Sequence, residues 1–281
     1  MFILKVDLCT WTKNGSKTLF PVLKRIESVL PFEMVREKIA VDDSSSDNTI
    51  EILKDFNWKV YPNRRGFIDG GSAEALRHVK SEFFVSVEQD VLLCPDWWDV
   101  VSKHMSSKKV AVAQGVEIST NKAESGIEKL VLKTIQRFPS SERSRLWKSV
   151  GNNIYRTKVI KKLGFVADKM AMQSFYNKVI SNGFVWFTDV DAVSAHLHGD
   201  LMDAIRHTLN FHRFTQEASY LDGIGAARFL AGVAYSPING LKLTLATREP
   251  EVQLLHIFRK LALVPVFFLN EKKELDSWIK I

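Results

Sequence analysis

Short apolar runs alternate with segments of helical periodicity throughout the first half of the chain. The runs are rich in Val, Ile and Phe and predict buried strands. They are Ile3–Leu8, Ile39–Val41, Trp58–Tyr61, Phe83–Val87 and Val110–Val116. Between them, apolar residues recur every three or four positions, as in amphipathic helices, at Thr18–Leu30, Asn48–Phe56, Gly71–Lys80 and Asp96–Met105. This alternation predicts βαβ units and an α/β fold with a mostly parallel sheet flanked by helices.

The pattern changes after Gly151 and becomes helical after residue 200. Strands are predicted at Asn152–Tyr155 and Phe184–Phe187, and helices at Lys158–Leu163 and Met170–Ser181. Further helices are predicted at Leu201–Leu221, Ala226–Tyr235 and Glu251–Phe268, separated by a turn at Ser236–Gly240 and by Glu249-Pro250. We therefore expect one α/β domain over residues 1–200 and a C-terminal helical extension over residues 201–281.

The composition is that of an ordinary globular protein. Of the 281 residues, 46% are apolar and 25% are charged, which excludes a disordered chain. The two cysteines, Cys9 and Cys94, lack the spacing of a zinc site or a disulfide framework. The start of the chain turns polar too soon for a signal peptide. No run of ~18 apolar residues is present to span a membrane; the closest approach, Leu254 to Leu269, is interrupted by Arg259 and Lys260. We expect a cytoplasmic protein.

The net charge of +7 is concentrated in one segment. Between Asn121 and Lys162 there are eleven Lys and Arg residues against three Glu residues. Such a segment indicates a partner that carries phosphate, although a solvated helix face would have the same composition. No helix-turn-helix, zinc-finger or RNA-binding motif is present, so we expect no nucleic-acid partner.

Acidic residues follow two of the predicted strands directly. Asp42-Asp43 follows Val41, and Glu88-Gln89-Asp90 follows Val87. The carboxyl ends of parallel strands meet at one edge of a sheet, where ligands bind. Carboxylates there can ligate Mg²⁺ or Mn²⁺ or accept hydrogen bonds from a nucleoside. The alternative for both pairs is a solvated strand end or the N-cap of the next helix, and Asn48 with Glu51 has the spacing of a capping box.

Together these motifs resemble family 2 glycosyltransferases of the GT-A fold. The stretch Val41-Asp42-Asp43-Ser44-Ser45-Ser46-Asp47-Asn48-Thr49 is similar to the family motif D-D-G-S-x-D-x-T. Residues Leu76 to Asp90 follow the pattern G-L-x-x-A-x-G-E-Y-I-x-x-L-D-x-D, which places Glu88-Gln89-Asp90 at the metal-binding D-x-D position. The resemblance resumes at Gly151–Arg156 and covers roughly residues 3–200. It implies a nucleotide-binding half over residues 1–115 and an acceptor half over residues 116–200.

The resemblance also implies roles for individual residues. Asp43, with Asp42 beside it, would contact the nucleoside, and Thr10, Trp11 and Thr12 would line the same pocket. Arg64 or Arg65 would lie near the donor phosphates, the alternative being an ordinary exposed turn. Asp90 would ligate Mn²⁺ or Mg²⁺, and Glu88 would hold the ribose or assist the metal.

Two histidines at alternate positions, His196 and His198, follow the predicted strand Val185–Val190. They fall where some GT-A enzymes present a late metal-ligating histidine, and neutral imidazole suits Mn²⁺ better than Mg²⁺. His198 is slightly preferred because it lies nearer the loop. A purely structural role for either histidine is the alternative.

One family feature is missing. Inverting members carry an acidic pair before a Gly-aromatic turn, and its Asp deprotonates the acceptor hydroxyl, whereas this chain has Met170-Ala171-Met172-Gln173-Ser174. A general base must reach the attacking hydroxyl. Asp168 is the nearest acid in sequence and is taken as the candidate base, with Asp189 and Asp191 as alternatives.

The expected activity is metal-dependent, inverting transfer of a sugar from a UDP-type or GDP-type donor to a glycan or lipid-linked acceptor. The apolar and basic C-terminal helices would suit docking on an anionic membrane surface, at the cytoplasmic face, with core packing or dimerisation as the alternative. A sugar-nucleotide nucleotidyltransferase is disfavoured because the loop Cys9–Gly15 has a single glycine. A degenerate family member that binds a nucleotide or a membrane without turnover is the remaining alternative.

Overall fold

The computed structural model describes residues 5–164, 172–205 and 226–268. The chain divides into two units. The first, here called the sheet unit, comprises residues 1–118 and 132–197. The second, the helical unit, comprises residues 119–131 and 198–281. The domain boundary that the sequence predicts at residue 200 stays a prediction.

The secondary structure follows the alternation of the sequence. The strands are β1 Val6–Thr12, β2 Val35–Asp42, β3 Lys59–Pro62, β4 Phe83–Val87, β5 Val91–Leu92, β6 Val110–Ser119, β7 Asn152–Arg156 and β8 Val185–His196. The helices are α1 Leu19–Val29, α2 Thr49–Asp55, α3 Phe67–His78, α4 Trp97–Ser102, α5 Lys122–Ile135, α6 Ser140–Leu146, α7 Thr157–Leu163, α8 Met172–Ser181, α9 Ala226–Ala234, α10 Ser236–Thr247 and α11 Glu251–Phe268. Residues 201–205 are also helical.

The strands form one sheet in the order β3-β2-β1-β4-β7-β6-β8-β5. The first four strands in this order pair in parallel. Strand β7 runs antiparallel to β4 and β6, and β5 runs antiparallel to β8. The expected α/β class is confirmed, and the parallel strands belong to the amino-terminal half. The carboxyl ends of β1, β2 and β4 therefore share one edge.

Two apolar layers cover the two faces of this sheet. Successive strand residues point to opposite faces, so Leu8 packs with α1 and α4 while Cys9 packs with α3, α7 and α8. Trp97 and Trp186, one in each layer, are the largest fully buried side chains among the described residues. Both layers pack against the strands that precede the acidic motifs, so the backbone at those motifs is held rigidly.

Several element boundaries differ from the sequence prediction. Strand β1 extends to Thr12 and β8 to His196 because sheet pairing continues into polar residues. The turn predicted at Ser236–Gly240 is wrong, since these residues begin helix α10. Pro237 is tolerated in a first helical turn, where no N–H donor is needed. Gly240 packs closely, because an added Cβ would lie 3.1 Å from Gln253 Cα.

The helical unit has its own small apolar core. Ala123, Ala204, Ile205, Val252 and Leu255 are its buried members. Helices α10 and α11 each have some side chains that pack inward and others that are exposed to solvent. In the described ranges, no helix combines the length and apolar character that crossing a bilayer would require.

Candidate active site

Asp42 shapes the turn that follows β2. Its Oδ1 accepts hydrogen bonds from Thr12 Oγ1 at 2.9 Å and Ser45 Oγ at 2.6 Å, and its Oδ2 accepts one from the Ser45 N–H at 2.8 Å. These bonds join the turn to the end of β1. Asp42 itself is buried, so its main effect is to hold the next residue at the surface.

That next residue, Asp43, is partly exposed at the edge of the sheet. Its N–H donates to the Thr12 carbonyl at 2.8 Å, and its Oδ2 lies 3.0 Å from Lys13 Nζ. Thr10, Trp11 and Thr12 belong to β1 and are buried. The structure thus brings Asp43 and the end of β1 together, as the resemblance implies.

Helix α2 is capped by Asp47, and neither Asp42 nor Asp43 takes part. Asp47 Oδ1 accepts a hydrogen bond from the Thr49 N–H at 3.1 Å, and its Oδ2 accepts one from the Ser16 N–H at 3.1 Å. Asn48 makes no side-chain capping bond, so the predicted capping box is wrong. Capping therefore does not account for the acidic pair that ends β2.

Gln89 fastens the acidic turn after β4 to the loop after β1. Its Oε1 accepts a hydrogen bond from the Lys13 N–H at 2.9 Å, and its Nε2 donates to the Lys13 carbonyl at 3.2 Å. A Cβ at Gly15 would overlap the Gln89 side chain, so this approach requires glycine. Glu88 and Asp90, on either side of Gln89, are thereby held in fixed positions.

Glu88 lies in an environment that favours its protonated form. Trp11 Nε1 donates to Glu88 Oε1 at 3.4 Å, and a Cβ at Gly151 would overlap the Glu88 side chain. Burial, and then the nearby carboxylates of Glu117 and Asp90, raise the pKa of Glu88 to about 8.

Asp90 faces His196 across the short β5–β8 pairing. Val91 pairs with His196 in this ladder, and the Leu197 N–H donates to the Asp90 carbonyl at 2.8 Å. Asp90 Oδ1 lies 3.4 Å from His196 Nε2. Burial opposes protonation of His196, but Asp90, Glu117 and Glu88 together raise its pKa to about 10. The cluster therefore gathers three carboxyl groups, those of Glu88, Asp90 and Glu117, around the single imidazole of His196.

Glu117 is the fourth member of this cluster, and the sequence analysis does not predict it. It lies on β6, where its Oε1 accepts a hydrogen bond from Ser149 Oγ at 2.6 Å. Its charge acts on both Glu88 and His196. The signal was present, because Glu117 directly follows the predicted strand Val110–Val116, as Glu88 follows Val87.

His198 belongs to the helical unit and has a different partner. Its Nδ1 is hydrogen-bonded to Glu124 Oε2. Glu124 also accepts hydrogen bonds from Ser119 Oγ at 2.9 Å and from Arg259 Nη2 at 3.0 Å. Burial raises the pKa of Glu124, but these partners outweigh it and lower the pKa to about 2.

The remaining candidates lie elsewhere. Arg64 and Arg65 are exposed in the turn between β3 and α3. Asp168 lies outside the described residues. Asp189 Oδ2 lies 2.7 Å from His104 Nε2, and at about 3.3 Å per strand residue it is roughly 23 Å from His196 along β8. Asp191, two residues on, is exposed on the same strand.

Comparisons with known proteins identify the family of the chain. The family model described as glycosyl transferase family 2 matches residues 9–165, more than half of the chain. No curated protein matches the chain.

Several solved structures share its fold. Mannosyltransferase PcManGT from Pyrobaculum calidifontis, in complex with GDP-Man and Mn²⁺, aligns with a TM-score of 0.65 and 16% identity over 96% of this chain and 89% of that chain. S. aureus TarS 1-349, in complex with UDP-GlcNAc, aligns at 0.54 and 14% over 90% of each. Glucosyl-3-phosphoglycerate synthase from Mycobacterium tuberculosis aligns at 0.51 and 13% over 71% of this chain and 74% of that chain. At these identities the structures show a common GT-A fold, and the family match shows that the chain belongs to glycosyl transferase family 2.

Proposed function

We propose that this protein transfers a sugar from a nucleoside diphosphate donor to an acceptor hydroxyl, with a divalent cation at the donor diphosphate. The observation that carries the proposal is the cluster of Glu88, Asp90, Glu117 and His196 at the edge where the parallel strands end. A carboxylate-rich cluster at this edge, in a family 2 chain, is suited to a metal-bound diphosphate.

The donor set of the cluster fits Mn²⁺ and, less well, Mg²⁺. Asp90 supplies a carboxylate oxygen and His196 an imidazole nitrogen, and these two atoms lie 3.4 Å apart. Burial and then the neighbouring carboxylates raise the pKa of Glu88, and the carboxylates of Asp90, Glu117 and Glu88 raise that of His196; a divalent cation would offset the repulsion among these carboxylates. Asp90 and His196 would hold the ion with Glu88 assisting. His198, two residues further along the chain, is the additional ligand proposed from the sequence.

When bound, the ion would neutralise the charge that builds up on the departing diphosphate. The complexes of PcManGT with GDP-Man and Mn²⁺, and of the M. tuberculosis synthase with UDP and Mn²⁺, support this assignment. Asp43 would accept hydrogen bonds from the nucleoside, and its bonds to Thr12 and Lys13 restrict its orientation. Thr10, Trp11, Thr12 and Asp42 would support that pocket, and Arg64 or Arg65 would meet the phosphates.

Fewer residues are assigned to the part of the site that would bind the acceptor. Family membership supports inversion at the anomeric carbon, and Asp168 remains the proposed general base because residues 170–174 carry no carboxylate. Asp189 is a poor alternative, since its carboxylate is bound to His104 and lies far along β8 from His196. The acceptor is a hydroxyl of a glycan or of a lipid-linked sugar.

The outer faces of α10 and α11 favour a lipid-linked acceptor at a membrane surface. Six large apolar side chains are exposed there: Ile238, Leu241 and Leu245 on α10, and Leu254, Phe258 and Leu261 on α11. In each helix they recur at three- or four-residue spacing, as on one face of a helix. Lys242 and Lys260 lie on the same helices. Apolar faces with basic residues are typical of docking on anionic lipid, so we propose peripheral association with the cytoplasmic membrane face.

The proposed activity is tested by nucleotide release from UDP-glucose, UDP-GlcNAc and GDP-mannose in the presence of Mn²⁺. One donor should support release, with water taking the sugar in place of the acceptor hydroxyl. Asp90→Asn should lower the rate by about 100-fold or more, the value of several kcal/mol of lost charge stabilisation. Asp99→Asn is the matched control. Asp99 is exposed on α4, and its replacement by Asn removes the same single negative charge. Tight binding of nucleotide and metal without release from any donor would instead support the degenerate alternative.

A further inference from the structure

Four cations of the basic segment surround helix α6 in the sheet unit. They are Arg137, Arg143, Arg145 and Lys148, here called the α6 cationic patch. Glu142 is the single acidic residue in the sequence from position 136 to position 148. Arg137 and Arg145 are exposed, whereas Arg143 and Lys148 are partly buried. Positive charge is therefore concentrated on one short stretch of the chain.

The side chains of the patch meet main-chain carbonyls rather than carboxylates. Arg143 Nε donates to the Phe138 carbonyl at 3.1 Å, and Lys148 Nζ donates to the Ser144 carbonyl at 3.2 Å. Within the part of the chain that the structure describes, no carboxylate forms an ion pair with a member of the patch. Carbonyls at the end of a helix have only partial negative charge, so most of the positive charge of the patch is not compensated.

Lys148 is crowded by its surroundings. Its Nζ lies 4.9 Å from the centre of the Tyr176 ring. Burial, and then the charge of Arg145, lower the pKa of Lys148 to about 8. An anion beside these two cations would offset their mutual repulsion and favour the charged form of Lys148. The patch is therefore suited to an anionic ligand.

The patch lies next to the cluster that is proposed to bind the donor. Ser149, the residue after Lys148, donates from Oγ to Glu117 Oε1 at 2.6 Å. The carbonyl of Trp147, the residue before Lys148, accepts a hydrogen bond from Gln114 Nε2 at 3.0 Å. Because consecutive Cα atoms are ~3.8 Å apart, the backbone of Lys148 is held one residue away from a contact of the cluster. A single small molecule can therefore contact both the patch and the cluster.

We propose that the α6 cationic patch binds a phosphate group of the acceptor, so that the protein takes acceptors with a phosphate close to the attacking hydroxyl. The inference rests on the proposed function, because it assigns the acceptor of that same reaction. Guanidinium groups match the geometry of phosphate oxygens and bind them through charge-assisted hydrogen bonds. A neutral glycan would leave these cations without a counter-charge.

An anionic membrane surface is a less suitable partner for this patch. Lipid headgroups are met by side chains at the surface, whereas Arg143 and Lys148 are partly buried. The patch also adjoins the cluster at which the acceptor hydroxyl has to react. A phosphate on the acceptor itself accounts for both features.

The test is calorimetric titration of glucose 1-phosphate, with glucose as the uncharged control, into the protein saturated with Mn²⁺ and whichever of UDP or GDP it binds. Nucleotide and metal then occupy the donor site, so the titration measures a phosphate site elsewhere. The wild type should bind glucose 1-phosphate with a dissociation constant of about 1 mM or below, and glucose about 10-fold more weakly or worse. Arg145→Gln/Lys148→Gln should weaken glucose 1-phosphate binding by about 10-fold or more, because charge-assisted hydrogen bonds are lost.

Two further variants make the comparison specific. Lys158→Gln/Lys162→Gln is the matched control, since both lysines are exposed on α7 in the same basic segment and the same two charges are removed. It should leave the affinity for glucose 1-phosphate within about twofold. Should Arg145→Gln/Lys148→Gln not fold, Arg137→Gln/Arg145→Gln replaces it, because both arginines are exposed. Its expected loss is about 3-fold or more.

A second readout tests whether the bound phosphate lies in the acceptor site. Free sugar released from the donor by water should fall when glucose 1-phosphate saturates the wild-type protein. The bound molecule either takes the sugar itself or excludes the water that would take it. In Arg145→Gln/Lys148→Gln the release of free sugar without glucose 1-phosphate should match that of the wild type, because the donor site is intact.

The outcomes separate this inference from the proposed function. If the wild-type protein binds neither nucleotide with Mn²⁺, the proposed function fails and the acceptor role of the patch fails with it. If a nucleotide binds but glucose 1-phosphate does not bind up to about 10 mM, or binds equally well to the patch variants, the donor site stands and the patch is overturned. Unchanged release of free sugar at saturating glucose 1-phosphate also overturns it. So does a loss of flotation with anionic liposomes by Arg137→Gln/Arg145→Gln at unchanged affinity for glucose 1-phosphate, which would show a membrane contact instead.

Discussion

The sheet unit and the helical unit each place a carboxylate beside a histidine, but the two pairs have opposite electrostatics. Asp90 and His196 lie among further carboxylates, and the pKa of Glu88 there rises to about 8. Glu124 and His198 are joined by Arg259 and Ser119, and the pKa of Glu124 falls to about 2. The first cluster has three carboxyl groups and one imidazole, whereas in the second a single carboxylate has both Arg259 and His198 as partners. An unbalanced cluster is suited to binding a cation, and a balanced one to holding its members in place.

The largest expected effect of this contrast is a loss of stability on Glu124→Gln. The folded-state pKa of Glu124 is depressed from 4.5 to about 2, so its charged form stabilises the native state above pH 4.5. The loss at pH 7 should be about 3 kcal/mol. Urea unfolding at pH 7 measures it. In the wild type this contribution disappears as the pH falls through the range between 4.5 and 2, so the two proteins should converge in acid. A constant difference at all pH values would contradict the electrostatic cause.

The opposite sign is expected for Glu88→Gln. The folded-state pKa of Glu88 is raised, so its contribution is fully present below pH 4.5 and is lost as the pH rises toward about 8. Gln does not ionise. In EDTA at pH 7 the variant should therefore be more stable than the wild type, by about 2 kcal/mol after allowance for partial exposure. Thermal unfolding with and without EDTA checks this, and destabilisation in EDTA would show that the cluster has no surplus charge.

A smaller effect is expected on the outer face of the helical unit. Leu245 is 72% exposed on α10 and Leu241 lies one turn before it. Replacing both with Glu should weaken flotation with anionic liposomes about 10-fold or more, because each buried leucine contributes about 1.5 kcal/mol or more. Phe32→Glu is the matched control, since Phe32 is 81% exposed in the sheet unit. No liposome binding by the wild type at low salt would contradict the membrane proposal.

The sequence predicted most of the sheet unit because its motifs are local. Strand β4 matches its predicted bounds, Phe83–Val87, and the acidic turn after it lies at the expected edge. The alternation of apolar residues needs only near neighbours in the chain, so it is readable from the sequence. Helix α11 likewise begins at its predicted residue, Glu251, and the described residues are helical as far as Phe268.

The rest of the site depends on contacts between residues far apart in the chain. Asp90 meets His196 through the short β5–β8 ladder, and β5 has only two residues. Glu124 lies in the basic segment, where its single charge gave no sign that it faces His198, 74 positions away. The same limit explains the wrong turn at Ser236–Gly240, because Pro237 is compatible with a turn and with the first turn of a helix. In the folded chain these residues are helical and Gly240 packs closely against Gln253 of α11.

The central claim is that the cluster around Asp90 binds a metal together with a nucleotide. It is tested most directly by calorimetric titration of UDP and GDP, each with and without Mn²⁺, into the wild-type protein, Asp90→Asn and the control Asp99→Asn. We expect one nucleotide to bind with a dissociation constant of about 1 μM to 100 μM, only with Mn²⁺ and only when Asp90 is present. Absence of Mn²⁺-dependent binding of either nucleotide, or equal binding by Asp90→Asn, would contradict the claim.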